Sequence, residues 1–130
     1  MNREIFTDLA PRPIGPYSQA VMSGGMIYCS GQIPLEARTG QMVGDNIGEQ
    51  TKKVCENISE VLKAAGVDFS DVIKTTCFLV EMSDFAGFNE VYERYFVNKP
   101  ARSCVVVKEL PKGALIEIEV IASVKFSLED

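Results

Sequence analysis

Leu115-Ile116-Glu117-Ile118-Glu119-Val120-Ile121-Ala122-Ser123-Val124 is the stretch whose reading decides the fold. It is rich in β-branched residues, and alternate side chains of a strand point to opposite faces. Ile116, Ile118, Val120 and Ala122 then make one wholly apolar face. Leu115, Glu117, Glu119 and Ile121 make the other, with two carboxylates set among apolar neighbours. The strand is predicted to run from Leu115 to Phe126. Cys104-Val105-Val106-Val107, in a strand read as Arg102 to Val107, has the same two-sided apolar character. Strands of this kind belong inside a sheet covered on both sides.

Working outward, Leu110-Pro111-Lys112-Gly113 is a turn that feeds the final strand. Val72 to Val80 is another strand by its Val, Ile, Thr and Phe content. Two helices separate these strands. Asn46 is a good N-cap, and Glu49 three residues on completes a capping-box pattern. Ile47, Thr51, Val54, Ile58, Val61, Leu62 and Ala65 follow as one helical stripe, which Gly66 stops. Ser83 is read as the cap of the second helix, with Phe85, Phe88, Tyr92 and Phe96 on its inner face, and Pro100 ends that segment. Toward the N-terminus, Ser18 to Met22 and Met26 to Gly31 are short strands joined by a Ser23-Gly24-Gly25 turn. Ala10-Pro11-Arg12-Pro13-Ile14-Gly15-Pro16 is a stiff loop within the domain. Two helices cover one face of such a sheet, so the second apolar face predicts association with further copies.

The 130 residues read as a single domain, 1–130, long enough to bury its own core. Lys and Arg total 13 against 18 Asp and Glu, a formal charge of −5, and no basic run offers phosphates a surface. Nucleic acid is therefore not an expected partner. No apolar stretch is long enough to span a membrane, and no leader pattern opens the chain, so a cytoplasmic protein is expected. Cys29, Cys55, Cys77 and Cys104 are scattered through apolar stretches and read as reduced core thiols. Histidine is absent, which removes Ser-His-Asp and Cys-His chemistry and leaves no zinc-ligand spacing. Catalysis would have to use Arg, Lys, Tyr, Cys, carboxylates or the backbone.

Four places carry candidate chemistry. Arg102 shares a strand face with Cys104, and its guanidinium suits bidentate capture of a carboxylate. Taken alone, an edge-strand charge that discourages aggregation explains it at least as well. Glu117 and Glu119 lie on a partly apolar surface, where desolvation raises a carboxyl pKa toward acid–base work. Plain alternation of polar and apolar residues explains them too. Asn89 falls among the aromatic residues of the second helix, where its amide needs partners. Tyr17, Ser30 and Gly31 sit at a loop and a strand end, and Ser30-Gly31 offers a hydroxyl and a backbone N–H. Cys104 has no base to activate it and reads as a pocket wall.

Five segments together resemble the reactive-intermediate deaminase family (Rid, YjgF-type). They are Ile14-Gly15-Pro16-Tyr17-Ser18-Gln19-Ala20, Ser30-Gly31-Gln32-Ile33-Pro34, Val72-Ile73-Lys74-Thr75-Thr76, Pro100-Ala101-Arg102-Ser103-Cys104-Val105 and Leu110 to Glu119. The likeness runs from about Pro13 to Ala122. It implies an α+β, chorismate-mutase-like fold: a mixed six-stranded sheet with two helices on one face. It further implies a homotrimer with a central barrel and active sites between subunits. The implied activity is hydrolysis of 2-iminopropanoate and 2-iminobutanoate, or their enamine tautomers, to 2-keto acids and ammonia, with no metal or cofactor.

Position by position, the resemblance makes Arg102 the clamp for the substrate carboxylate and Glu117 the group that orients water. It makes Tyr17, Ser30, Gly31, Asn89 and Cys104 pocket residues, and it gives Glu119 no role. One departure is the short Val97-Asn98-Lys99 segment, which bears on pocket size. Two other functions fit the same residues: a non-catalytic 2-keto-acid-binding module and, with less support from the acidic composition, a ribonuclease.

Overall fold

The computed structural model describes residues 2–125. Six strands form one mixed sheet: β1 (Arg3–Ile5), β2 (Ala20–Ser23), β3 (Met26–Gln32), β4 (Val72–Leu79), β5 (Ala101–Val106) and β6 (Ile116–Ser123). Their spatial order is β1-β2-β3-β6-β4-β5, and only the β4–β5 pair is parallel. Two α-helices, α1 (Ile47–Ala64) and α2 (Phe85–Tyr95), pack against each other, and α1 lies on β3 and β6. Among the described residues no helix is long and apolar enough to cross a membrane.

The decisive stretch behaves as its alternation demands. Ile116, Ile118, Val120 and Ala122 are buried against the helices, together with Ile27, Cys29, Cys77 and Leu79 from neighbouring strands. From α1 come Val54, Ile58, Val61 and Leu62, and from α2 come Phe88, Tyr92 and Phe96. β6 sits at the centre of the sheet, paired with β3 from Ile118 to Ser123 on one side and with β4 from Ile116 to Ala122 on the other.

Local chemistry sets the boundaries, and several differ from the sequence reading. β6 starts at Ile116 and stops at Ser123, and Phe126 lies outside the described residues. Asn46 caps α1 by accepting from the Glu49 N–H at 2.9 Å. The reciprocal half of the capping box is displaced by one residue, since the Glu49 carboxylate accepts from the Asp45 N–H at 2.8 Å. Ser83 caps nothing. It lies in a 3-10 turn, Met82–Asp84, and α2 begins without a side-chain cap. Gly24 and Gly25, with φ of 58° and 80°, make the primed turn that matches strand twist in the β2–β3 hairpin. β1 has only three residues, too few for periodicity, and sequence patterning missed it.

The face away from the helices is less apolar than the two-sided reading predicted. Register places Tyr28, Val105, Phe78 and Ile121 there, but Lys74, Thr76, Ser103, Glu117 and Glu119 interrupt them. The apolar run Cys104-Val105-Val106 lies on an edge strand, and Val105 and Val106 remain 46% and 42% exposed.

Candidate active site

The residues singled out from the sequence fall into two groups, on opposite faces of the sheet. Strand neighbours in register project to the same side. Arg102 pairs with Thr75, which pairs with the buried Val120, so Arg102 and Cys104 face the helices. Glu117 pairs with Phe78, which pairs with Val105, so Glu117 and Glu119 face away from them. Within one chain, then, the guanidinium and the carboxylates do not meet.

The first group surrounds Glu117. Ile14, Tyr17, Ser30, Gly31, Glu117 and Glu119 wall a cleft of about 380 Å³. Its floor exists because the β3–β6 register slips: Cys29 opposes Val120, but Gln32 opposes Ile118. Two residues, Ser30 and Gly31, therefore stand opposite one, Glu119. Such a bulge bends the strand and re-aims its side chains. The Glu117 side chain reaches over Gly31. A Cβ added at that glycine would overlap the carboxylate, falling 2.8 Å from Cδ and 2.9 Å from Cγ. Burial, and then the neighbouring Glu119 charge, raise the Glu117 pKa above the usual carboxylate range.

Ser30 does not offer the free donors expected of it. Its hydroxyl donates to the Ser18 carbonyl at 2.6 Å, and its N–H donates to the Gln19 carbonyl at 2.9 Å. Both bonds fix the cleft floor to the preceding loop. Tyr17 is 47% exposed at the rim, with its hydroxyl accepting from the Ile14 N–H at 3.3 Å.

Sequence reasoning missed what holds these loops. Three buried carboxamides staple the walls. Gln19, 1% exposed, accepts from the Thr7 N–H and donates to the carbonyls of Thr7, Ala10 and Pro11. Asn57 donates to the carbonyls of Ile33 and Leu35, and Gln50 joins Gly44 to the Leu115 N–H. Buried amides of this kind are satisfied almost without exception, so each marks a loop of fixed shape. Gln19 belongs to the quoted Tyr17-Ser18-Gln19 motif, and Asn57 and Gln50 interrupt the α1 stripe. An amide at a helical core position is the available signal.

The second group surrounds Arg102, at the exposed edge. Its Nη1 donates to Asn89 Oδ1 at 2.7 Å. Its guanidinium carbon lies 5.6, 5.5 and 4.8 Å from the ring centroids of Phe85, Phe88 and Tyr92. No carboxylate pairs with it among the described residues. Asn89, Tyr92, Glu93, Lys99 and Arg102 border a hollow of about 400 Å³. The short segment before Pro100 is fixed there. Asn98 donates to the Ser70 carbonyl at 2.9 Å, and Lys99 takes a left-handed φ of 54°. Cys104, half-buried, stands in register with Cys77. Burial raises its thiol pKa despite the nearby Arg102 charge, so it is no ready nucleophile.

A family model described as Endoribonuclease L-PSP matches residues 7–124. A RutC family protein of Pyrococcus horikoshii is 53% identical over 123 residues, 94% of this chain and 98% of its own length. A human protein named 2-iminobutanoate/2-iminopropanoate deaminase is 48% identical over 123 residues, 94% of this chain and 90% of its own. The structure of E. coli TdcF with bound serine is alike at TM-score 0.89 and 42% identity, covering 95% of this chain and 99% of that one. The chain belongs to this L-PSP family, the YjgF-type or Rid family whose motifs it carries from its first loop to β6.

Proposed function

We propose that the chain is a single-domain, cytoplasmic imine hydrolase, a 2-iminobutanoate/2-iminopropanoate deaminase. In this reading it works as a homotrimer with active sites between subunits. The observation that carries the reading is the state of Arg102: held in place, exposed, and lacking a carboxylate of its own chain among the described residues. A fixed guanidinium with open donors takes a carboxylate through two parallel charge-assisted hydrogen bonds. Small 2-imino acids carry that carboxylate next to the reacting carbon. The deaminase name of the human relative supports the same chemistry.

Glu117 supplies the second half. Because Arg102 and Glu117 face opposite ways in one chain, a site that uses both takes them from two copies. This is a physical reason to favour an intersubunit site. Tyr17, Ser30 and Gly31 then wall the Glu117 side, and Asn89 and Cys104 the Arg102 side. A carboxyl of raised pKa is a stronger base than an ordinary carboxylate. Glu117 takes a proton from water as its oxygen adds to the imine carbon. It returns a proton to nitrogen, and the tetrahedral carbinolamine expels ammonia as its hydroxyl becomes the keto oxygen. Imines are electrophilic already, so positioning supplies much of the rate and no cofactor enters.

A keto-acid-binding module would need the arginine alone, and the half-buried Glu117 facing its own cleft favours the enzyme. The family description names an endoribonuclease, but a charge of −5 and the absence of histidine disfavour that activity here.

The test is Arg102→Ala assayed with freshly generated 2-iminopropanoate. Loss of two charge-assisted bonds lowers kcat/KM by about 100-fold or more. Near-normal turnover contradicts the clamp.

A further inference from the structure

A guanidinium that waits for a carboxylate faces a conflict. Left loose, it must be ordered at each binding event; tied to its own carboxylate, it has lost the charge it needs. Arg102 escapes both outcomes, because everything that holds it is neutral. Asn89 gives a carbonyl oxygen at 2.7 Å, and Tyr92 gives a ring face at 4.8 Å. A ring face and an amide dipole attract a cation without cancelling its charge.

The Tyr92 ring is itself fixed. Its hydroxyl shares a buried hydrogen bond of 2.8 Å with Thr75 Oγ1, and Phe96 stacks on the ring with centroids 4.3 Å apart and planes 22° from parallel. Thr75 is also the β4 residue in register with Arg102. The strand pair that carries the guanidinium therefore carries the anchor of the ring beneath it. Helical spacing completes the arrangement, since Phe85, Phe88, Asn89 and Tyr92 present one face of α2.

We propose that Tyr92 and Asn89 are positioning residues, a neutral cradle that sets the Arg102 guanidinium before a carboxylate arrives. The proposal rests on the reading of Arg102 as a carboxylate clamp. It moves Asn89 from a ligand contact to a support that acts through the arginine.

The experiment uses the full chain, with pyruvate as the carboxylate probe in calorimetric titrations. Asn89→Asp keeps the shape but places a charge against the guanidinium. It is expected to weaken pyruvate about tenfold while the melting temperature holds or rises, a split that a merely structural role does not produce. Tyr92→Leu is expected to weaken pyruvate about tenfold, and Tyr92→Phe, which keeps the ring, to stay within about twofold of the parent. Parent-like binding by Asn89→Asp overturns the proposal, and so does parent-like binding by a folded Tyr92→Leu. The Arg102 Nε–Hε resonance, assigned with Arg102→Ala, gives a reading independent of any ligand. A ring-shifted parent signal that returns toward the free-arginine position in Tyr92→Leu supports the cradle, even if pyruvate fails to bind and the deaminase reading falls. A parent signal already at the free-arginine position overturns the cradle.

Discussion

Glu117 and Arg102 sit on opposite faces of one sheet, and their surroundings differ in kind. Glu117 lies in a cleft whose walls are loops, stapled by the buried amides of Gln19, Gln50 and Asn57. Its floor is a β-bulge, and its carboxyl is pushed toward the neutral form by burial. Arg102 lies on an edge strand, held by one helix face through ring planes and one amide. The carboxylate is placed by backbone shape, and the guanidinium by side-chain contact. The lesson is that one chain presents these two groups on opposite faces with separate supports, so each can be damaged without touching the other.

The largest effect is expected where backbone shape meets the acid. Gly31→Ala forces the Glu117 carboxylate from its place, because the new Cβ overlaps it. A displacement of this size costs about 100-fold in kcat. Pyruvate binding in Gly31→Ala should stay close to that of the parent if the arginine half is independent. A next, smaller effect comes from the staple. Gln19→Leu orphans four backbone groups of the 7–11 segment, and removing such partners destabilises by about 1–3 kcal/mol. Denaturant unfolding measures this, and an unchanged midpoint would show that the amide does not hold the wall.

The smallest effect is a pH dependence. A carboxyl whose folded pKa is raised adds stability while protonated and loses it as pH rises through the folded pKa. Glu117→Gln is neutral throughout. Its melting temperature should exceed the parent's at about pH 8 and match it below the ordinary glutamate value of about 4.3. A difference of the same size at both pH values would mean that ionisation of Glu117 is not its cause. Glu119→Gln should reduce the pH-dependent difference, since the Glu119 charge is the lesser of the two causes.

Much of this was legible in the sequence, and the misses share a cause. Long periodic elements read correctly: the α1 stripe ended by Gly66, the β4 run, and the alternation that centres β6. The short or locally capped pieces did not. β1 is too short to show a period, and Ser83 yields to a 3-10 turn that places the start of α2 one residue later than a Ser83 cap implies. At the site, residue types pointed to Arg102, Glu117, Tyr17, Ser30, Gly31, Asn89 and Cys104, but not to their grouping. The face of each strand residue follows from period two, yet which face meets the helices depends on registry between strands far apart in sequence. The hydroxyl that Ser30 offers is taken up within its own hairpin: its acceptor is the carbonyl of Ser18, just before the partner strand β2. The staples stayed hidden because a buried amide is distinguished only by loops that fold back onto it.

In the proposed enzyme, Arg102 and Glu117 meet across two copies. The most direct test co-refolds Arg102→Ala with Glu117→Gln in equal amounts, each inactive alone, and assays 2-iminopropanoate hydrolysis. Random assembly in a closed ring leaves about a quarter of intersubunit sites with both native residues, so activity should return to about a quarter of the parent's. A mixture as inactive as its parts, in assemblies shown by native mass spectrometry to be mixed, would contradict the account.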